Sequence, residues 1–165
     1  MIWKKIGKVY GPKGDSPWAK THCYVPTPLQ MADRMRVYTA FWDDKKRGRI
    51  GFVDVDLQNP SKVLNVSKEP CLDLGLAGKF DEWGVSPSQV LAKGEEIWLY
   101  YFGWQKDDDV RYKIFPGLAI SKDGGLSFSR YSQEPLLHAT PHEQFVRSAL
   151  VTIPWKNQIL GYYVS

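Results

Sequence analysis

Residues 98–104 read WLYYFGW, in which all side chains but one leucine and one glycine are aromatic. A related run, RVYTAFW, occupies residues 36–42, and a third, LGYYVS, occupies residues 160–165. The tyrosines at positions 38, 100 and 162 hold the same place in these runs, and each lies 62 residues from the next. A fixed period of this kind is the sequence signature of a repeated structural unit.

Each repeat contains several short segments with the composition of β-strands. They are rich in β-branched and aromatic residues and are separated by Gly, Pro, Asn and Asp, whereas helical periodicity is weak throughout. The candidates are residues 35–41, 49–55, 85–91, 97–102, 116–121, 145–153 and 159–164, and YVPTPLQ at residues 24–30 precedes the first tyrosine run as a further strand. Each of the first two units closes with a Glu-Pro segment, which we interpret as part of a fourth, edge strand. Four antiparallel strands per repeat are typical of a β-propeller blade.

The sequence therefore predicts an all-β chain that forms an incomplete β-propeller of about two and a half four-stranded antiparallel blades. Blade one spans about residues 18–72, blade two about 80–137, and the start of blade three about 143–165. The segment SKDGGLSF at residues 121–128 matches the Asp-box pattern of a blade hairpin, in which the Asp caps the turn. Side chains expected between the sheets are Val37, Phe52, Val90, Leu99, Leu118, Ile120, Phe128 and Val151.

Two and a half blades do not close a ring, so the chain is expected to be the N-terminal fragment of a longer protein. The alternative is that another copy supplies the missing blades. An open propeller would expose strand edges and an apolar blade face, and we therefore expect self-association through these edges.

Composition and charge exclude several classes of protein. The net charge of +4 is spread along the chain, and the basic cluster at residues 45–49 follows two aspartates, which favours a solvated hairpin over a nucleic-acid-binding patch. Cys23 and Cys71 lie far apart without metal-ligand spacing, which predicts two buried free thiols and neither a metal site nor a cofactor. The chain has no apolar run typical of a signal peptide or a membrane span, and we expect a cytoplasmic protein.

The candidate site comes from the segments that lead into the first strand of each repeat. Residues 80–91 read FDEWGVSPSQVL, and the 62-residue offset places Asp81 opposite Glu143. In a propeller these segments converge on one pocket. Two carboxylates there suit glycoside hydrolysis, and Asp81 and Glu143 are the candidate catalytic acids.

The candidate substrate-binding residues surround the same segments. The basic Arg147 can hold a sugar acid or a phosphate, and aromatic rings offer stacking surfaces for sugars. The set comprises His22, Trp83, Tyr101, Trp104 and Arg147. Each candidate has an alternative: Asp81 can cap the turn before Gly84, Glu143 can be solvated, and the others can serve packing.

The chain resembles the N-terminal half of bacterial five-bladed propeller proteins related to glycoside hydrolase families 32, 43, 68 and 130, which are often encoded among surface-polysaccharide genes. The resemblance rests on IGKVYGP, THCYVPTPLQ, RIGFVDVDLQNPSKVL, GKFDEWGVSPSQVL, LYYFGWQ, GLAISKDGGLSFSR and FVRSALV, and it covers essentially the whole chain. It implies five blades and one acid on each of the first three. Asp81 matches the second acid, but blade one has none, and Arg147 stands where blade three should carry a Glu.

Two functions follow from this pattern. The first is a glycosidase-like hydrolase or transferase acting on a bacterial glycan or sugar nucleotide, with the fragment itself inactive. The second is a non-catalytic propeller that binds a glycan or a protein through the same pocket. The departure from the three-acid pattern favours binding, and the polar and aromatic strand entries favour an enzyme. In both cases the expected partner is a carbohydrate, with neither nucleic acid nor membrane involved.

Overall fold

The computed structural model of the protein describes residue 2 and residues 4–165, and these residues form three antiparallel sheets. The first sheet consists of β1 (Thr21–Gln30), β2 (Met35–Trp42), β3 (Gly48–Val55) and β4 (Val63–Val66). The second consists of β5 (Gly84–Lys93), β6 (Glu96–Gln105), β7 (Lys113–Ser121) and β8 (Ser129–Arg130). The third consists of β9 (Ser148–Trp155) and β10 (Gln158–Val164). None of the described residues is helical, so the all-β prediction is confirmed.

The sequence repeat is also a structural repeat. The first strands of the three sheets, β1, β5 and β9, lie side by side. Tyr24 Oη and Ser86 Oγ, 62 residues apart, are hydrogen-bonded at 2.9 Å between β1 and β5. Ser88 Oγ donates to the carbonyl of Leu150 at 2.8 Å between β5 and β9, again across 62 residues. Equivalent strands of successive repeats are therefore neighbours.

The largest apolar cluster lies between the first and second sheets. Of the predicted core residues, it contains Phe52, Val90, Leu99 and Phe128, while Leu118 is buried in a smaller cluster shared with Leu150 of β9.

Three predicted core residues, Val37, Ile120 and Val151, are only half-buried. Val37 lines an open apolar groove on the side of the first sheet away from the second sheet. Ile120 lies at the margin of the smaller cluster, beside a third sheet of only two described strands. The prediction that these three side chains are buried is therefore wrong, because the two faces of each sheet are not equally covered.

The first and third sheets, which lie on either side of the second, each leave apolar surface uncovered. On the third sheet, five large apolar side chains are more than half exposed: Ile153, Trp155, Ile159, Tyr162 and Val164. Cys71 is buried, as predicted, but Cys23 is exposed because it borders the groove on the outer side of the first sheet. Self-association through these surfaces stays a prediction. No helix in the described part of the chain is long and apolar enough to span a membrane.

The SKDGGLSF segment forms the turn between β7 and β8, and Asp123 holds it together. The Asp123 carboxylate accepts hydrogen bonds from the hydroxyls of Ser121 and Ser127 and from the amides of Leu126 and Ser127. Gly125 has φ +82°, and the Tyr38 hydroxyl donates to its carbonyl from β2 at 3.0 Å. The turn therefore also fastens the second sheet to the first.

This turn is expected to make stability depend on pH in acid. Burial alone would raise the pKa of Asp123, but the hydrogen bonds from Ser127, Ser121 and Leu126 lower it to about 2, below the ordinary value of 3.8. Because the pKa is lower in the folded state, the stabilisation is present above about pH 4 and is lost as the pH falls towards 2. In urea unfolding, the difference in midpoint between wild type and Asp123→Asn should shrink over this interval. A difference independent of pH would contradict this.

Candidate functional site

A cleft of about 510 Å³ opens between the first and second sheets. It lies where β2 and β6 end and β5 begins, beside the connections from β2 to β3 and from β6 to β7. Its lining is dominated by aromatic rings, with two basic side chains at the border: Tyr24, Trp42, Lys46, Gly48, Trp83, Gly84, Trp104, Arg111 and Tyr112.

Two glycines allow the strands to meet at the base of this cleft. A Cβ on Gly84 would lie 3.1 Å from the amide nitrogen of Gly48. A Cβ on Gly48 would lie 3.2 Å from the carbonyl oxygen of Val85 and 3.0 Å from the hydroxyl of Tyr24. Side chains at either position would force β3 and β5 apart, so the close approach that forms the cleft depends on glycine.

Trp42 and Trp104 hold equivalent places in two repeats and form part of the wall. The ring of Tyr112 meets Trp104 edge-on, with centroids 5.4 Å apart, and Trp104 Nε1 donates to Ser86 Oγ at 3.2 Å. Trp83 carries the ammonium of Lys106 3.5 Å from its ring centroid. The three tryptophans are half-buried. These contacts hold the rings of Trp104 and Trp83 in place, while part of each of the three rings remains accessible.

Three of the sequence-predicted site residues lie at this cleft. Trp83 and Trp104 line it directly. His22 is exposed and lies against Trp42, with ring centroids 3.9 Å apart and planes inclined by 31°. Two of the predicted aromatic candidates therefore line the cleft, and His22 borders it through its contact with Trp42.

Asp81 and Tyr101 lie outside the cleft, in the interior of the protein against the second sheet. Both are fully buried, and the Tyr101 hydroxyl donates to Asp81 Oδ2 at 2.9 Å. Arg130 Nε donates to the same oxygen at 2.7 Å, and its Nη2 donates to the carbonyl of Asp73. Burial, with the carboxylate of Asp81 beside it, raises the pKa of the Tyr101 hydroxyl. Gly75 has no room for a side chain because Asp81 Oδ1 fills that space.

Glu143 and Arg147 form a third group at the start of the third sheet. The Tyr163 hydroxyl lies 3.1 Å from both carboxylate oxygens of Glu143, and Arg147 Nη2 donates to the same hydroxyl at 2.9 Å. Arg147 Nε also forms an ion pair with Glu143 at 3.1 Å. Glu143 and Tyr163 each lie 62 residues after Asp81 and Tyr101, so this pair is the repeat of the buried one. It is more open, with 24% of the Glu143 side chain exposed.

The structure therefore does not bring Asp81, His22 and Arg147 into one pocket. The catalytic roles of Asp81 and Glu143 stay predictions, but neither residue lines the aromatic cleft. Sequence reasoning missed Trp42, although the 62-residue offset from Trp104 points to it. Within the described part of the chain, no group of three or more His, Cys, Asp or Glu residues is arranged to hold a metal ion.

Two curated proteins of Mycobacterium tuberculosis, from strains CDC 1551 / Oshkosh and H37Rv, are each 35% identical to this chain over 164 residues. Both are described as uncharacterized. The alignments cover 99% of this chain and 53% of each relative, so the chain spans about half the length of the curated relatives it matches. No family model matches the chain.

Solved structures of glycoside hydrolases share the fold. A family 117 glycoside hydrolase from the marine bacterium Zobellia galactanivorans superposes with a TM-score of 0.70 at 16% identity, covering 93% of this chain and 42% of that one. A second structure comes from a study of the GH130 family, which contains glycoside hydrolases that target β-1,2 mannosidic linkages in Candida mannan. It superposes with a TM-score of 0.68 at 13% identity, covering 94% of this chain and 50% of that one. The chain has a glycoside-hydrolase-like propeller fold.

Proposed function

We propose that the chain is part of a five-bladed propeller and that the cleft between its first two blades binds carbohydrate. In this proposal the blades span about residues 18–72 and 80–137, with a third beginning at about 143. Support comes from the two four-stranded sheets, the 62-residue spacing of contacting strands, and the fold shared with glycoside hydrolases. Cytoplasmic location stays a prediction, which free Cys23 and Cys71 favour.

The arrangement of aromatic rings in the cleft carries the proposal. Trp42, Trp83 and Trp104, with Tyr24 and Tyr112, present partly accessible rings around one concave space. Such rings combine apolar faces with a polar edge, which suits the apolar faces and hydroxyl rim of a sugar. The fixing contacts of Trp104 with Ser86 and Tyr112 reduce the entropy lost when a ligand is bound.

Binding without hydrolysis fits this cleft better than catalysis does, because no carboxylate is among the residues that line it. General acid catalysis requires a side chain within hydrogen-bond reach of the substrate. Asp81 is fully buried and its Oδ2 is already bonded to Tyr101 and Arg130. The glycosidase-like alternative is favoured by Glu143, which is partly accessible beside Arg147 and Tyr163.

Replacing Trp104 or Trp83 with Ala is expected to weaken carbohydrate binding at least about tenfold, since a buried aromatic anchor commonly contributes more than about 1.4 kcal/mol. Binding is to be measured by calorimetry with ligands identified on a glycan array. Trp155→Ala is the matched control, because Trp155 is 56% exposed on the third sheet and does not line the cleft.

Melting temperatures of the same variants separate lost binding from lost folding. Equal affinity in the Trp83, Trp104 and Trp155 variants would place the carbohydrate site elsewhere. In a protein that carries all the blades, cleavage of a bound glycan that is abolished by Glu143→Gln would favour the glycosidase-like alternative.

A further inference from the structure

The two basic side chains at the cleft have no acidic partner. Lys46 lies in the connection between β2 and β3, and Arg111 in the connection between β6 and β7. Both are exposed, and neither forms an ion pair with a carboxylate of the described residues. By contrast, basic residues close to them in sequence do form ion pairs: Arg47 and Arg49 both pair with Asp43, and Lys113 pairs with Asp107.

The acidic groups near the cleft lie outside its described lining or are paired with other basic residues. The described lining of the cleft contains no Asp or Glu. Asp43 is buried and held by Arg49 and Arg47, which lower its pKa against the effect of burial. Asp44, Asp108 and Asp109 are exposed in the same connections but do not line the cleft. The two charged side chains in the described lining are therefore both positive, with Asp44, Asp108 and Asp109 close by in the chain, and the apolar walls strengthen the field inside the cleft.

We infer that the ligand of this cleft is an anionic saccharide, whose ring stacks on the tryptophans while its acidic group binds Lys46 and Arg111. This inference rests on the proposed carbohydrate-binding function and narrows it to one class of ligand. A guanidinium offers paired donors that match a carboxylate or a phosphate, and an ammonium offers a compact charge. The anion is the carboxylate of a uronic acid or the phosphate of a sugar phosphate, and both present the same chemistry to the cleft.

The first experiment compares neutral, uronic-acid-containing and phosphorylated glycans on one array. The expected result is that the bound glycans are acidic, and the array distinguishes carboxylate from phosphate. Affinity for an acidic glycan should fall as salt is raised from about 0.02 M to about 0.2 M, because screening weakens exposed charge pairs. Equal binding of neutral and acidic glycans would overturn the inference while leaving the proposed function intact. Absence of binding to any glycan would count against both.

The second experiment removes the charges singly. Lys46→Gln and Arg111→Gln are each expected to weaken binding of the best acidic glycan about tenfold. Both should weaken binding of the neutral glycan that lacks the acidic group by much less, so that the preference for the acidic glycan falls. Lys156→Gln is the matched control, because Lys156 is an exposed hairpin lysine with φ +55°, close to the +60° of Lys46, and lies outside the cleft.

These variants also separate the inference from the function it rests on. Binding of an acidic glycan that is lost in Trp104→Ala but unaffected in both Gln variants would retain the carbohydrate site and overturn the role of the charges. Equal losses in Lys156→Gln and Lys46→Gln would likewise overturn it, because the effect would then follow overall charge and not the cleft.

Discussion

Replacing Asp81 with Asn is expected to lower the free energy of unfolding by about 3–5 kcal/mol, the usual cost of removing one partner of a buried ion pair. Asp81 is fully buried, and its Oδ2 accepts hydrogen bonds from both Arg130 and Tyr101. Asn has nearly the same shape but no charge, so Arg130, whose side chain is 14% exposed, would lose its counter-ion in the interior. The measurement is urea unfolding of the variant beside wild type.

Two companion variants test whether the effect comes from burial. Asp33→Asn removes an exposed carboxylate that pairs with Arg34, and should change stability by less than about 1 kcal/mol. Tyr101→Phe removes one hydrogen bond to Asp81 and should cost about 1–3 kcal/mol. If Asp81→Asn were as stable as wild type while turnover of an identified substrate fell at least about a hundredfold, the catalytic prediction for Asp81 would hold instead.

The repeat explains why so much of the fold is readable from the sequence. Tyr38, Tyr100 and Tyr162 mark one strand of each sheet, and between the first two repeats the same 62-residue offset relates the strands before them. The strands after them are 66 residues apart, because Phe52 pairs with Tyr38 and Leu118 with Tyr100. The structure reproduces the 62-residue offset in the hydrogen bond from Ser88 to Leu150. Burial was harder to predict, because it depends on what covers each sheet. Val37 lies on β2, where the sequence predicts a strand, but its side chain faces an open groove.

The same repeat predicted which acids are equivalent but not what they contact. Asp81 and Glu143 correspond, and each has a tyrosine partner 20 residues later in the chain. Nothing in that spacing indicates that Arg130, on the edge strand of the second sheet, reaches back to bind Asp81. A buried ion pair depends on contacts between distant segments, and local sequence does not specify them.

The 62-residue repeat also does not predict the two basic residues that line the cleft. Lys46 lies in the five-residue connection 43–47 and Arg111 in the seven-residue connection 106–112, so the 62-residue register is lost there. The tryptophans at the ends of the preceding strands keep the register, which is why Trp42 can be found from Trp104. Positions on the strands before these connections are therefore predictable by repetition, whereas positions in the connections require the structure.

Replacing Arg36 with Met is expected to lower the free energy of unfolding by about 3–5 kcal/mol. The reason is that Arg36 forms a buried ion pair within the first sheet and also bonds to the second sheet. Arg36 is 1% exposed, and its Nε and Nη2 donate to the two carboxylate oxygens of Asp54 at 2.8 and 2.9 Å. Its guanidinium lies 3.7 Å from the ring centroid of Phe52, and Nη1 donates to the carbonyl of Gly124 in the turn held by Asp123. The variant removes the main partner of the buried Asp54 carboxylate, which also pairs with Arg34 Nε at 3.3 Å, and one hydrogen bond between the sheets.

A double variant separates these two contributions. In the variant with both Arg36→Met and Asp54→Leu, no carboxylate remains buried without its main partner. Its free energy of unfolding should therefore lie between those of Arg36→Met and wild type, because replacing a whole buried ion pair by apolar residues commonly costs little stability. The unrecovered part measures the bond to Gly124 and the contact with Phe52. Lys122→Met is the control, because the Lys122 side chain is 81% exposed and should change stability by less than about 1 kcal/mol. A double variant less stable than Arg36→Met would mean that the uncompensated charge is not the main cost. The attachment of the turn to the first sheet would then carry most of the effect.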